Sequence, residues 1–495
     1  MTAENVPARH SAPGGHRPPL QPEHYFRRNL QNPFMETTET ARTAAQPAAA
    51  PPNGGGPEIP LYKHGLPWIG ASRAVKRDPF RFYLDAYRAN GPIYRLPLGG
   101  RTPIVLGGLE ANDFIWRNPE NWSYAHSNVA FREQMGPDHV TQLDGKRHRA
   151  RRQHLQPAFR PDTILRQVPK MDAIIAARLA AASGRPADFT RLLAQTIIQM
   201  SSQTVVQCDL SDAAIETMDR WEYEFIYGIS LRWMRHFYYN RPGYRRRKRE
   251  VFAEFGRILD ARQAMPEPPD DNLTAILRAH AANGGAPPSR WDLLNDIYLV
   301  LLAGAHNTTN LIYWCLLYLQ THPEWRAALR EELLAYDGSA FRGMNAFPRL
   351  KATIQEVQRL RPGSIFLTKT AAVDMEFQGC RIPAGAAVIH TNALCHFLDE
   401  IYEDPFRFRP ERHLDGRTYP PKANGFFGGG SHICLGMNMT LIHTPLFLAN
   451  IVRNYDLSLD FDPNFDVRLS FGSNQMRANV PGRLVPVAQA PAAAV

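Results

Sequence analysis

Apolar residues recur every three or four positions over most of the chain, and this helical period dominates the pattern. Residues 79–89 read as an amphipathic helix, residues 162–262 are largely helical with a break at 240–243, and residues 325–336, 352–360 and 437–454 carry further helices. Ser289, with Asp292 three positions later, is an N-cap signature for a long helix that runs to about residue 321. Strand-like runs are few. Residues 93–98 and 102–106, joined through Gly99 and Gly100, predict two short strands, and residues 365–377 and 381–388 predict two more around the turn Ile382-Pro383-Ala384-Gly385. The chain is therefore expected to be mainly α with a minor β-sheet region.

Three stretches follow neither period. Residues 1–57 are rich in proline, alanine and glycine, cannot bury enough apolar surface to offset chain entropy, and predict a disordered tail. Residues 65–70 are a proline- and glycine-punctuated entry, and residues 119–137 read as a loop able to line a pocket.

Composition narrows the class. With 44% hydrophobic and 10% aromatic residues among 495, a large core is affordable. No apolar run reaches the roughly 20 residues of a membrane span, so no transmembrane segment is expected. The first 15 residues lack a hydrophobic signal core, which points to a cytoplasmic protein. A net charge of +10, densest at residues 241–249, invites an acidic partner. That run lacks interleaved aromatics or a DNA-reading motif, so it reads as a solvated helix face and no nucleic-acid partner is expected. The cysteines Cys208, Cys315, Cys380, Cys395 and Cys434 are odd in number and unpaired in spacing, which argues for free thiols and against a disulfide or zinc framework.

Two segments carry candidate chemistry. In Leu301-Leu302-Ala303-Gly304-Ala305-His306-Asn307-Thr308-Thr309, a glycine and polar residues interrupt an apolar helix at a cost, as in a backbone opened for a ligand; a plain buried helix with satisfied polar groups is the alternative. In Phe427-Gly428-Gly429-Gly430-Ser431-His432-Ile433-Cys434-Leu435-Gly436, the glycines permit a sharp bend and close approach to a flat partner. Cys434 then stands just before a helix, where the dipole favours a thiolate, a soft ligand for iron; a buried structural cysteine is the competing reading.

This decapeptide resembles the heme-binding loop of the cytochrome P450 family, Phe-x-x-Gly-x-Arg-x-Cys-x-Gly. Phe427, Gly430, Cys434 and Gly436 match, and His432 replaces the arginine that faces a heme propionate. Further motifs follow in the family's order. Residues 143–159 are similar to the helix that grips the propionates, with His148 and Arg152 at the matching positions, and Lys369 stands where the family often has a third propionate-binding cation. Glu356 and Arg359 match its Glu-x-x-Arg motif; Arg412 matches its Pro-Glu-Arg-Phe motif, with His413 in place of phenylalanine. The resemblance implies a buried triad of Glu356, Arg359 and Arg412 that fixes the cysteine loop.

The oxygen-activating helix departs from the family's Ala-Gly-x-acid-Thr-Thr. Placing Ala303 and Gly304 first puts His306 at the acid and Asn307 at the proton-relay threonine; the other register, which loses the Gly304 match, puts Asn307 at the acid and Thr308 at the threonine. The first is preferred, and histidine at the acid position is also known in sterol demethylases of the family. The resemblance further implies the mainly α P450 fold in a single domain over residues 58–495, and heme b (iron protoporphyrin IX) ligated by Cys434. The implied activity is insertion of one atom of dioxygen into a small apolar substrate, as in secondary metabolism. With no reductase region after the loop, a separate ferredoxin or flavodoxin and its reductase are expected to supply electrons. A peroxide-using or rearranging enzyme, and a non-catalytic heme or ligand binder, are the alternatives.

Overall fold

The computed structural model describes residues 57–65, 70–125, 127, 129–229, 231, 234–282, 288–338, 340–460, 468–470, 473–475 and 480–487. The expected tail, apart from residue 57, lies outside the described residues, as does most of the 65–70 entry. Helices dominate, and their ends follow local rules. Pro79–Asn90, for example, begins with proline in its first turn and Asp78 accepting the Arg81 N–H (3.0 Å), and stops at Gly91, whose φ of 83° few other residues adopt.

Six helices frame the site: α1 (Gly145–Leu155), α2 (Asp212–Ile229), α3 (Arg290–Leu301), α4 (Ala305–Thr321), α5 (Pro348–Leu360) and α6 (Met437–Asn454). Helix α4 lies at the centre: every residue from Leu311 to Leu319 is buried, with Tyr313, Trp314 and Leu316 in one core with Leu446, Phe447 and Ile451 of α6. Met171, Ile175 and Leu179, spaced by one helical turn on Val168–Ala182, close that core from another side.

The β region is small. A five-stranded sheet has the order Ile93–Arg95, Ile104–Gly107, Ala387–Thr391, Leu367–Ala371, Trp122–Ser123, antiparallel except where Ile104 pairs with Val388 in parallel. It places Lys369 and His390 on neighbouring strands beside the cysteine loop's surroundings. A three-stranded antiparallel sheet joins Pro186–Asp188, Pro481–Pro486 and Tyr455–Leu459. Among the described residues no helix is long and apolar enough to cross a membrane.

Several expectations change. The single helix expected from Ser289 to about residue 321 is two helices. Its N-terminal capping box forms as expected, but the ladder breaks at Leu302–Gly304, where the Tyr298 carbonyl accepts both the Leu302 and the Ala303 N–H (2.9 Å each). Residues 365–377 form two strands, Leu367–Ala371 and Met375–Phe377, and residues 119–137 hold the strand Trp122–Ser123 and the helix Val129–Met135. The break at 240–243 is only a corner, since Pro242 occupies the first turn of Pro242–Gln263.

Candidate active site

The cysteine loop is shaped by its glycines. Gly428 and Gly430 hold φ of 70° and 65°, in the left-handed region where a side chain is strained. Gly429 is extended, and it is glycine for another reason: a Cβ there would sit 2.3 Å from the Trp116 indole. The flat partner expected for the glycines is thus, at this position, an indole. The Cys434 N–H donates to the Phe427 carbonyl (2.9 Å), and Arg152 donates from Nη1 to the Ile433 carbonyl (2.7 Å), tying α1 to the residue before the thiol. Phe427 is half-buried and packs edge-to-face on Phe426, and Gly436 caps α6.

The Cys434 side chain is exposed, in contrast to buried Cys315, Cys380 and Cys395. Protein nevertheless surrounds it closely enough that burial raises its pKa, against the backbone N–H of Gly436 and the charge of Arg152, which lower it. Burial thus opposes the thiolate expected at this helix terminus, while the Gly436 N–H and Arg152 support it.

Four nitrogen-bearing side chains, His148, Arg152, Lys369 and His432, converge beside this loop. The rings of Tyr124, His432 and His148 form one stack, with centroids 3.6 Å and 3.7 Å apart. Burial first, then the neighbouring charges of His148, Lys369 and Arg152, push His432 down to about 2, and burial with Arg152 pushes His148 down to about 4. Lys369 is 3% exposed, its Nζ lies 3.3 Å from His390 Nδ1, and burial lowers it to about 7. Asn112 bonds the far nitrogen of His390 (2.6 Å).

Among the described residues none of His148, Arg152, Lys369 and His432 is ion-paired to a carboxylate; Asp144, whose charge acts on Tyr124 and His148, already accepts from Ser123 and the Tyr124 N–H. Crowded together without an anion, these groups disfavour their charged forms, and an incoming carboxylate would reverse that bias. Their arrangement around an exposed thiol fits a prosthetic group with one soft-ligand site and two carboxylates, which is the donor set of heme. No group of three His, Cys, Asp or Glu among the described residues could hold a bare metal ion.

Across the interrupted helix the candidate residues separate. Gly304 and Asn307 are exposed on one side of an otherwise buried segment, and a Cβ on Gly304 would meet nothing within 4 Å. Thr308 and Thr309 are buried. His306 turns elsewhere: its Nε2–H donates to the Asp219 carbonyl of α2 (3.2 Å) and stands 3.4 Å from Asp219 Oδ1. Burial raises the Asp219 carboxyl, and the charge of His306 lowers it in part. The pair lies on a cleft of about 300 Å³ that Tyr223, Glu216 and Arg191 also line.

Glu356, Arg359 and Arg412 meet as one buried network. Glu356 accepts from Arg359 Nε and Nη2 (2.9 and 2.7 Å), from Arg412 Nε (3.2 Å) and from the Arg409 N–H (3.0 Å). Burial alone would raise its carboxyl, but Arg359, His413 and Arg412 hold it at about 2. Arg359 and Arg412 also donate to the carbonyls of His396, Pro405 and Glu403, stitching the segment ahead of the cysteine loop to α5.

Sequence reasoning missed four residues. His413 is a fourth member of the network, its Nε2 3.0 Å from Glu356 Oε2; its place next to Arg412 was the available signal. His396 accepts the Gly425 N–H and bonds the Arg359 carbonyl, while Asp219 and Tyr124 reach the site from far along the chain, with no local signal.

The comparisons with known proteins agree with this geometry. The family model described as Cytochrome P450 matches residues 60–473. The chain is 28% identical over 418 residues, 81% of this chain and 91% of the relative, to a putative cytochrome P450 120 of Synechocystis sp.. It is 25% identical, over 79% of this chain and 88% of the relative, to the cyclooctat-9-en-7-ol 5-monooxygenase of Streptomyces melanosporofaciens. It is 24% identical, over 80% and 81%, to abscisic acid 8'-hydroxylase 3 of Oryza sativa subsp. indica. The solved structure of retinoic acid-bound cyanobacterial CYP120A1 superposes with a TM-score of 0.73 at 26% identity, covering 87% of this chain and 100% of that one. A family match over most of the chain, a shared fold and a donor set suited to heme lead to one conclusion: the chain belongs to the cytochrome P450 family and is a heme-thiolate monooxygenase.

Proposed function

We propose that this enzyme hydroxylates a small, largely apolar molecule in secondary metabolism, as one catalytic unit over residues 58–495, in the cytoplasm and with electrons from a separate ferredoxin or flavodoxin. The observation that carries the reading is the exposed Cys434 thiol beside four basic side chains, His148, Arg152, Lys369 and His432, with no ion pair to a carboxylate among the described residues. Cys434 would ligate the iron, and His148, Arg152, Lys369 and His432 would take the propionates. Heme held there supplies dioxygen activation.

The chain's own share follows from the contacts. Arg152, bonded to the Ile433 carbonyl, couples propionate binding to the position of the thiolate. The network around Glu356 keeps the loop rigid. On the exposed strip, the Asn307 amide offers two N–H donors and an oxygen acceptor, which hold a water but do not relay a proton as a hydroxyl does. His306, held on the cleft by its Nε2–H donated to the Asp219 carbonyl, exchanges a proton through its other ring nitrogen, and the proton passes by water along the interrupted helix.

Support for an apolar substrate comes from the compounds in the relatives' names, retinoic acid, abscisic acid and cyclooctat-9-en-7-ol. Support for an acidic electron donor comes from α1, where exposed Lys146 and Arg149 stand on the helix that reaches the cysteine loop through Arg152.

The first test is the reduced carbon monoxide spectrum: a red-shifted Soret band in the wild type and its loss in Cys434→Ala are expected, and a band that survives the substitution would overturn the ligation. A Soret-shift screen with the compounds above then reads the substrate class. For the proton route, His306→Phe keeps the carbon monoxide band but lowers product formed per NAD(P)H consumed and raises peroxide release; unchanged coupling refutes it. Asn307 in place of a hydroxyl also favours a second reading, a peroxide-driven or rearranging enzyme, which tight NAD(P)H-to-product coupling excludes.

A further inference from the structure

We propose that the cleft between Val129–Met135 and the start of Pro242–Gln263 is a recognition site for the anionic end of the substrate, a carboxylate on an otherwise apolar skeleton. The proposal rests on the reading of a largely apolar substrate, and it names the chemical class of that substrate's polar end.

The basic run at residues 241–249 supplies the first observation, because the fold divides it. Arg247 is bidentate to Glu224, Arg246 pairs with Glu250 (3.5 Å), and Arg241 lies 3.7 Å over the Tyr238 ring and 3.7 Å from Glu224. Arg245, Lys248 and Arg249, which share one helix face at three- and four-residue spacing, make no ion pair among the described residues. These three are the members of the run that line a cleft of about 380 Å³, together with Gln134, His236 and Tyr244. The unpaired half of the run is the half that faces the cleft.

The wall opposite does not compensate them. Glu133, the carboxylate on the cleft, is already bound by Arg235 through two hydrogen bonds of 2.9 and 2.8 Å. Lys248 is drawn inward: its Nζ donates to the Gln134 carbonyl (2.6 Å) and Oε1 (3.2 Å), and burial lowers it to about 8. A half-buried ammonium and two free guanidinium forks around one cavity suit a planar carboxylate. The volume admits a carboxylate and several carbons, and the rings of Tyr239 and Tyr244 in its lining give the hydrocarbon an apolar surface.

The experiment uses the heme-loaded enzyme with monomeric dodecanoate, dodecanol and acetate as probes. Acetylation of Lys248 by acetic anhydride is followed by peptide mass spectrometry, and binding by calorimetry. Dodecanoate is expected to slow labelling of Lys248, dodecanol and acetate to leave it unchanged, and Arg245→Ala/Arg249→Ala to weaken dodecanoate binding roughly tenfold without affecting dodecanol. Arg246→Ala, on the paired side, should bind as the wild type, and Arg245→Lys/Arg249→Lys should recover most of the affinity. Equal protection by dodecanol, protection by acetate alone, no protection, or binding only to phosphatidylserine vesicles each overturns the proposal. The carbon monoxide band, read on every sample, separates the two levels: if it is intact while the cleft shows no carboxylate preference, the heme-thiolate reading stands and only this proposal falls.

Discussion

Glu222 offers a test in which the magnitude comes from the structure. It lies on α2, is 1% exposed, and has one hydrogen bond, from the Tyr298 hydroxyl to its Oε1 (3.3 Å). Its Oε2 has no partner among the described residues, and no cation stands against it. Burial pushes the carboxyl from 4.5 up to about 8; the Tyr298 hydrogen bond opposes this and Asp219 adds to it. The folded protein therefore holds a proton at neutral pH that the unfolded chain has released. Rising pH then favours the unfolded chain, so this group's contribution to stability declines from about pH 4.5 and levels off only above about pH 8.

At about 1.4 kcal/mol per pH unit the whole window is worth roughly 5 kcal/mol, of which about 2–3 kcal/mol falls between pH 6 and pH 9. Glu222→Gln keeps the shape and removes the titration. In urea denaturation of the heme-loaded protein, followed by the fluorescence of buried tryptophans such as neighbouring Trp221, the variant should gain about 2–3 kcal/mol on the wild type between those two pH values. All other groups titrate alike in both proteins and cancel. Parallel stability curves across that range would show that Glu222 is ionised or solvated in the folded state, and the reasoning would fail.

Other substitutions probe the loop and its supports. Glu356→Gln leaves Arg359 and Arg412 buried without their anion and should cost about 3–5 kcal/mol, seen as lost heme in purified protein; normal loading would refute the network's role. With Glu356 held at about 2, its stabilisation is complete above about pH 4.5 and is lost as pH falls through about 2, so acid unfolding of Glu356→Gln should be flatter in that window. His413→Phe restores the family's residue yet removes the bond to Glu356 Oε2, and a loss of about 1 kcal/mol in urea stability is expected. Gly429→Ala drives a methyl into the Trp116 ring and should cost about 1–3 kcal/mol with reduced heme occupancy, partly regained in Gly429→Ala/Trp116→Leu.

What the sequence determined by itself is what depends on a few adjacent residues. The Ser289–Asp292 capping box formed because a cap is closed within one turn, and the bend before Cys434 was readable because positive φ at Gly428 and Gly430 is a property of glycine. The spacing of Glu356 and Arg359 on one helix face was likewise local. Tertiary structure decided the rest. It broke the helix at Leu302–Gly304, separated His306 from Asn307 by giving His306 a partner 87 residues away, and added His413 to the buried network. It set desolvation against the thiolate expected at Cys434, since desolvation depends on every segment packed around the sulfur. It also divided one basic run into a paired face and an unpaired one. Charge identity is written in the chain, but whether a charge is neutralised depends on what folding brings within a few ångströms of it.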